Sequence, residues 1–223
     1  MADVHSYAQD PDELFDVLTA EGAQTGQVKR RADVHRDGDW HRALHIWVAG
    51  RDERGEPFLI VQRRSPAKDT WPGRYDTTIG GHYRAGETIE DTLREAEEEI
   101  GVTVDLGSLR PLGTRRASSE QERGIVDREI QDVFLLLDDR PLTSYRPHPA
   151  ELSSLDRFSL RNLLPFLAGQ SPSLSGLSAP PDATSAHEIF ATTDDFIPTL
   201  DRYLFRVAIA VQNVLRGDRY VAI

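Results

Sequence analysis

The sequence predicts an α/β fold, a single mixed β-sheet covered on both faces by helices. Three observations predict it. Four stretches, His41–Ala49, Phe58–Arg63, Leu109–Arg116 and Ile125–Leu137, are rich in β-formers and bounded by turn residues. Only two segments between residues 26 and 168, Arg94–Gly101 and Ser159–Leu167, read as helices. Strands interleaved with so few helices bury both of their faces when the helices lie on opposite sides of the sheet.

The elements follow in order. Asp10-Pro11-Asp12-Glu13 supplies an aspartate cap, a proline at the first helical position and acidic residues in the first turn. With Leu14, Phe15, Val17 and Leu18 as its apolar stripe, a helix is predicted to run toward Gly22, so residues 1–25 read as an N-terminal helical segment. A polar strand is predicted over Gly26–Val34. The turn Asp52–Pro57 joins the first two core strands as a hairpin, and a loop from Arg64 to Arg74 follows. Residues 169–190 are dense in Ser, Pro, Gly and Ala, the composition of a linker. In 191–223, Phe196, Leu200, Tyr203, Leu204, Val207, Val211, Val214 and Leu215 recur at helical spacing, predicting a C-terminal helical extension. Such a stripe either docks on the core or pairs with a second copy in a homodimer.

Composition narrows the function. The chain has 223 residues, 39% apolar and 28% charged, enough for a core of about 150 residues plus extensions. It contains no cysteine, which removes disulfides, thiolate metal sites and thiol nucleophiles together. A net charge of −11 speaks against a nucleic-acid polymer as partner. No apolar run is long enough to span a membrane, and the N-terminus lacks a secretory signal, so a cytoplasmic location is expected.

The most informative stretch is residues 81–102. On a helix Glu95, Glu98 and Glu99 stand at i, i+3 and i+4 and share one face. Like charges so placed repel by roughly 0.2–0.5 kcal/mol per pair, and a hard divalent cation held by oxygen ligands would offset that. A solvated acidic face is the plainer alternative.

Gly81, Glu87 and the run Arg94-Glu95-Ala96-Glu97-Glu98-Glu99-Ile100-Gly101-Val102 resemble the Nudix box, the signature of the Nudix hydrolases. One departure is visible: six residues, Thr88 to Leu93, separate Glu87 from Arg94 where the family has seven. A residue lost inside a helix would turn everything beyond it by about 100°. The deletion is therefore placed in the loop or first turn, leaving the helix from Arg94 intact. The resemblance implies an α/β/α sandwich over residues 26–168. It implies hydrolysis of a diphosphate linkage in a small molecule, with Mg²⁺, or Mn²⁺ in its place, held by Glu95, Glu98 and Glu99. Arg94 would orient these glutamates, and Glu98 or Glu129 would serve as base. Thr88 with Asp91 forms a weak capping box.

The stretch Val61–Gly73 resembles the Nudix branch that includes isopentenyl-diphosphate isomerase. That likeness implies diphosphate contacts for Arg63, Arg64 and Lys68. It also implies metal ligation by His41, His82 and Glu129, with Asp127 replacing a glutamate and His35 only loosely in register. His41 and His45 lie too far apart along a strand to ligate as a pair, and strand histidines are more often structural. The isomerase needs a cysteine just before its glycine-histidine pair, where this chain has Gly80, so isomerisation by that route is not expected. Gly80-Gly81 allows either a tight turn or close approach of a ligand. Trp47 reads as core; Trp40 and Trp71 could stack on a nucleobase or pack. A Nudix-fold module that binds a ligand without cleaving it is the second reading.

Overall fold

The computed structural model describes residues 10–120 and 124–223. The first nine residues of the predicted N-terminal segment, on which the secretory-signal reading rests, lie outside the described residues.

The centre of the sheet is β3 (Trp40–Arg51), flanked by β4 (Pro57–Arg64) and β8 (Val126–Leu137). β3 runs parallel to β8 from Trp40↔Arg128 to Ala49↔Leu137. Its other edge pairs antiparallel with β4 at Val48–Arg51 and with β6 (Ile79–His82) at Ala43–Ile46. β7 (Leu109–Glu120) extends the sheet beyond β8, while β9 (Leu152–Ser159) and β5 (Tyr75–Asp76) pair with β4. Adjacent residues of a strand point to opposite faces, and here both faces are apolar. Ile46, Val48, Phe58 and Ile60 face α2 (Ile89–Thr92) and α3 (Arg94–Ile100), whose Leu93 (the residue between them), Ala96 and Ile100 cover that side. Trp47, Ala49, Leu59 and Val61 face α4 (Leu160–Leu167) and α5 (Tyr203–Arg216). The result is the predicted α/β/α arrangement.

Three expectations are corrected. Residues 10–22 form no helix: β1 (Leu14–Leu18) and β2 (Gln24–Arg30) make an antiparallel hairpin. The local helix-start signal loses because Phe15 and Val17 alternate inward while Gly22, at φ +92°, turns the chain back. The strand expected over Gly26–Val34 ends at Arg30, and Arg31–Asp37 is a helix, α1, stopped by Gly38 at φ +68°. The expected linker 169–190 contains a second hairpin, β10 (Leu174–Ala179) with β11 (His187–Ala191), which adds two strands beside β9. Its composition misleads because Gly176 is needed where the Phe158 ring packs against its backbone, and Leu174, Ser178 and Ala179 are buried.

The C-terminal helix exists but begins at Tyr203, after Pro198, rather than near Phe196. Val207, Ala208, Val211 and Val214 are buried in the core of its own chain. Those residues are spent on docking, while Leu200 of the same stripe stays exposed. Among the described residues no helix is long and apolar enough to cross a membrane.

Candidate active site

One cleft of about 1030 Å³ opens at the ends of β3, β6 and β8, between α3 and the C-terminal segment. Gly80, Gly81, Glu95, Glu98 and Glu99 line it together. α3 packs directly against β6, and the contact requires glycine: a Cβ on Gly81 would overlap Cγ and Cδ of Glu95. Gly80 N–H donates to Glu99 Oε2 at 3.0 Å. Glu99 is 2% exposed, and burial pushes its carboxyl up to about 8 despite the nearby Lys68 charge. Burial likewise raises Glu95 to about 7, against the opposing pull of Arg94. Glu98 differs in remaining open to solvent at the cleft wall.

Arg94 gathers these groups. Its guanidinium donates to Glu87 at 3.2 and 3.3 Å, to Glu95, and to Glu98 at 3.1 Å. Thr88 and Asp91 form the reciprocal capping box that starts α2.

A second cluster adjoins the first. The end of α1, the start of β3, the end of β6 and the start of β8 bring His35, His41, His82 and Asp127 together, each with one donor atom within 4.8 Å of the others. His45 is not among them; farther along the same strand, its Nδ1 lies 3.1 Å from Tyr203 Oη. His35 Nε2, His41 Nε2 and Asp127 Oδ1 are buried with no hydrogen-bond partner, and Asp127 Oδ1 lies 3.9 and 3.6 Å from the two rings. Burial lowers His35 and His82 to about 3 and lowers His41 as well, so the imidazoles are neutral, the form that binds metal. Burial beside Glu129 holds the Asp127 carboxyl well above its usual range. Orphaned buried donors of this kind fit a divalent cation. His82 is constrained: Arg31 can only donate, so His82 Nδ1 accepts from it at 3.0 Å and Nε2–H donates to Glu129 Oε1 at 2.9 Å. A cation takes His82 here only by displacing one of these partners.

The basic residues divide. Arg64 and Lys68 line the cleft, but Arg64 is held by Thr70 and by Asp76 at 2.9 Å, and Lys68 is paired with Glu151. Arg63 is not brought to the cleft; as Arg64's neighbour on β4 it points to the other face, toward Gly73 O and Asp195. Trp47 is buried, donating to Tyr203 Oη at 3.0 Å, and Trp71 lines the cleft.

Sequence reasoning missed Arg31, which lies in a polar stretch read as a strand, and the Arg115–Gln131 pair. Arg115 donates to Gln131 Oε1 at 2.8 Å, and Gln131 Nε2 donates to Glu129 Oε2 at 2.5 Å. No local pattern announces such contacts across strands.

The family model described as the NUDIX domain matches residues 39–175. "Nudix hydrolase 3" of Arabidopsis thaliana is 34% identical over 165 residues, 72% of this chain and 21% of that protein. An uncharacterized Nudix hydrolase of Clostridium acetobutylicum is 33% identical over 156 residues, 70% of this chain and 74% of that one. An isopentenyl-diphosphate Delta-isomerase of Brevibacterium linens is 34% identical over 128 residues, 56% of this chain and 66% of that one. The chain thus spans about a fifth of the Arabidopsis relative and about three quarters of the Clostridium one. Among solved structures, DR0079 of Deinococcus radiodurans superposes with a TM-score of 0.53 at 27% identity, covering 70% of this chain and 90% of that one. With the box glutamates gathered on α3 against Gly80-Gly81 and the domain match across the sheet, the chain belongs to the Nudix hydrolase family.

Proposed function

We propose that the chain hydrolyses a diphosphate linkage in a small organic diphosphate, such as a nucleoside-diphosphate derivative, with Mg²⁺ or Mn²⁺ as cofactor and in the cytoplasm. One observation carries this reading: the buried Glu99 and the part-buried Glu95 stand beside the open Glu98 in a single cleft, where burial resists charging both. Glu95, Glu98 and Glu99 would hold the cation. When bound, it neutralises the diphosphate and lowers the pKa of a water molecule.

The protein's own groups do the rest. Glu98, the solvent-open member, takes the proton from the attacking water, while Glu129 is already engaged by His82 and Gln131. Arg94 fixes Glu95 and Glu98 by pairing with them, while the Gly80 N–H holds Glu99. Lys68, beside Glu99, and Arg64 supply positive charge where the phosphates enter. The histidine cluster is read as a second cation site, with His41, His35 and Asp127 as its ligands and His82 and Glu129 joining if Arg31 yields. Isomerisation is disfavoured, since no cysteine exists to replace Gly80.

The test is Glu98→Gln. Phosphorus NMR against a panel of diphosphates with Mg²⁺ should show kcat lowered by roughly 10²–10⁴ with the fold intact. Full activity in that variant would sink the assignment. Tight binding without cleavage by the wild-type chain would favour the ligand-sensing reading instead.

A further inference from the structure

We infer that residues 196–205, which lie beyond the matched domain, form a subsite for the organic group of the substrate. That group is larger than five carbons and carries an extended apolar face. The inference rests on the diphosphate reading above and names what that site selects.

The cleft that holds the glutamates continues without a break along Ile197, Pro198, Leu200, Leu204 and Phe205. Its volume of about 1030 Å³ stands at the top of the range of small-molecule sites, about 300–1000 Å³, and far exceeds what a diphosphate and two cations need. Leu200 is fully exposed at this wall, so a ligand that covers it gains the burial of one leucine.

The wall is also anchored rather than loose. Ile197 N–H donates to Tyr75 O at 3.3 Å, and Asp201 accepts two hydrogen bonds from Arg115 at 2.8 and 3.0 Å. The Arg115 guanidinium lies 4.1 Å over the Tyr203 ring, and Tyr203 is locked to Trp47 and His45 beneath. Three non-glycine residues among those described adopt positive φ, and two of them, Trp71 at +48° and Arg202 at +53°, line this cleft. Backbone strain concentrated at one cavity marks geometry maintained for binding.

The test uses the whole 223-residue chain carrying Glu98→Gln, so that binding is read without turnover. Calorimetry in Mg²⁺ compares isopentenyl diphosphate with geranylgeranyl diphosphate and with ADP-ribose. At least one larger ligand should bind about ten-fold or more tightly than isopentenyl diphosphate; which one tells whether the apolar face is a chain or a nucleoside. Adding Leu200→Ser should erase about ten-fold of that preference, the worth of covering one leucine, while leaving isopentenyl diphosphate within about two-fold. Phe190→Ser, an exposed residue on β11 away from the cleft, should change neither. Equal affinities or a preference that survives Leu200→Ser would overturn the subsite, and no binding of any of the three would overturn the diphosphate reading beneath it. Retained hydrolysis by Glu98→Gln would overturn the catalytic assignment instead.

Discussion

Replacing Glu99 by glutamine should change how stability depends on pH, and the structure sets the size. Burial pushes the Glu99 carboxyl up to about 8 from an ordinary 4.5. The native chain thus keeps a proton that the unfolded chain has released above about pH 4.5. A group raised in this way contributes stability at low pH, and the contribution is lost as pH climbs through 8. The glutamine amide of Glu99→Gln would mimic the protonated acid, retaining an acceptor for the Gly80 N–H while carrying nothing to titrate. Between about pH 6 and 8.5 the wild type should lose about 2–3 kcal/mol relative to Glu99→Gln. For a chain of this size that is a relative fall in Tm of roughly 4–12 °C. The buried histidines titrate in both proteins and cancel in the difference. Thermal unfolding in EDTA across this range measures it, and a repeat with saturating Mg²⁺ should abolish the wild-type loss by binding the ionised form. Parallel Tm curves for the two proteins without metal would refute the argument that burial, helped by the neighbouring Glu95 and Glu151 carboxylates, holds Glu99 protonated.

Gly81→Ala should act on catalysis through Glu95: the new Cβ overlaps that side chain, so Mg²⁺ affinity measured by calorimetry should fall about 10-fold or more while circular dichroism stays native. Phe15→Ala should cost about 3–5 kcal/mol in urea unfolding, because Phe15 is fully buried and stacks on His41 and His82 at 5.4 and 5.0 Å. An unchanged midpoint would mean that the N-terminal hairpin is not part of the folded core.

What is legible in the sequence depends on how local its cause is. β3, β4 and β8 carry continuous apolar runs because both faces are covered, and α4 announces itself through Ser159, whose hydroxyl accepts from Asn162 N–H. The grouping of Glu95, Glu98 and Glu99 follows from helical spacing alone. The N-terminal and C-terminal hairpins are hidden because their strands exist only through partners. Leu14–Leu18 needs residues 24–30, and Leu174–Ala179 needs β9, a strand that itself carries no local signal. The same holds for Arg31, Arg115 and Gln131, whose roles come from crossing between strands. His35 is placed only loosely by the sequence because the turn of α1 that delivers it reads as extended chain.

The six-residue spacing between Glu87 and Arg94 shows how a deletion inside the box can leave its geometry standing. The chain breaks where the residue is missing. α2 is a single turn, closed at its start by the Thr88–Asp91 box, and Leu93 at φ −61° and ψ −14° separates it from α3. Everything that sets the rotation of α3 lies beyond that break. Ala96 and Ile100 bury completely against the sheet, Gly101 ends the helix in the left-handed conformation, and Gly81 admits Glu95. These contacts would each be lost by a turn of about 100°, so the shortening is taken up by the loop and first turn instead. Glu87 still reaches Arg94 because a carboxylate on a loop can follow the guanidinium, whereas a glutamate on α3 could not leave its face. The part of the box that varies is therefore the part whose side chain is anchored only through Arg94 and its own turn.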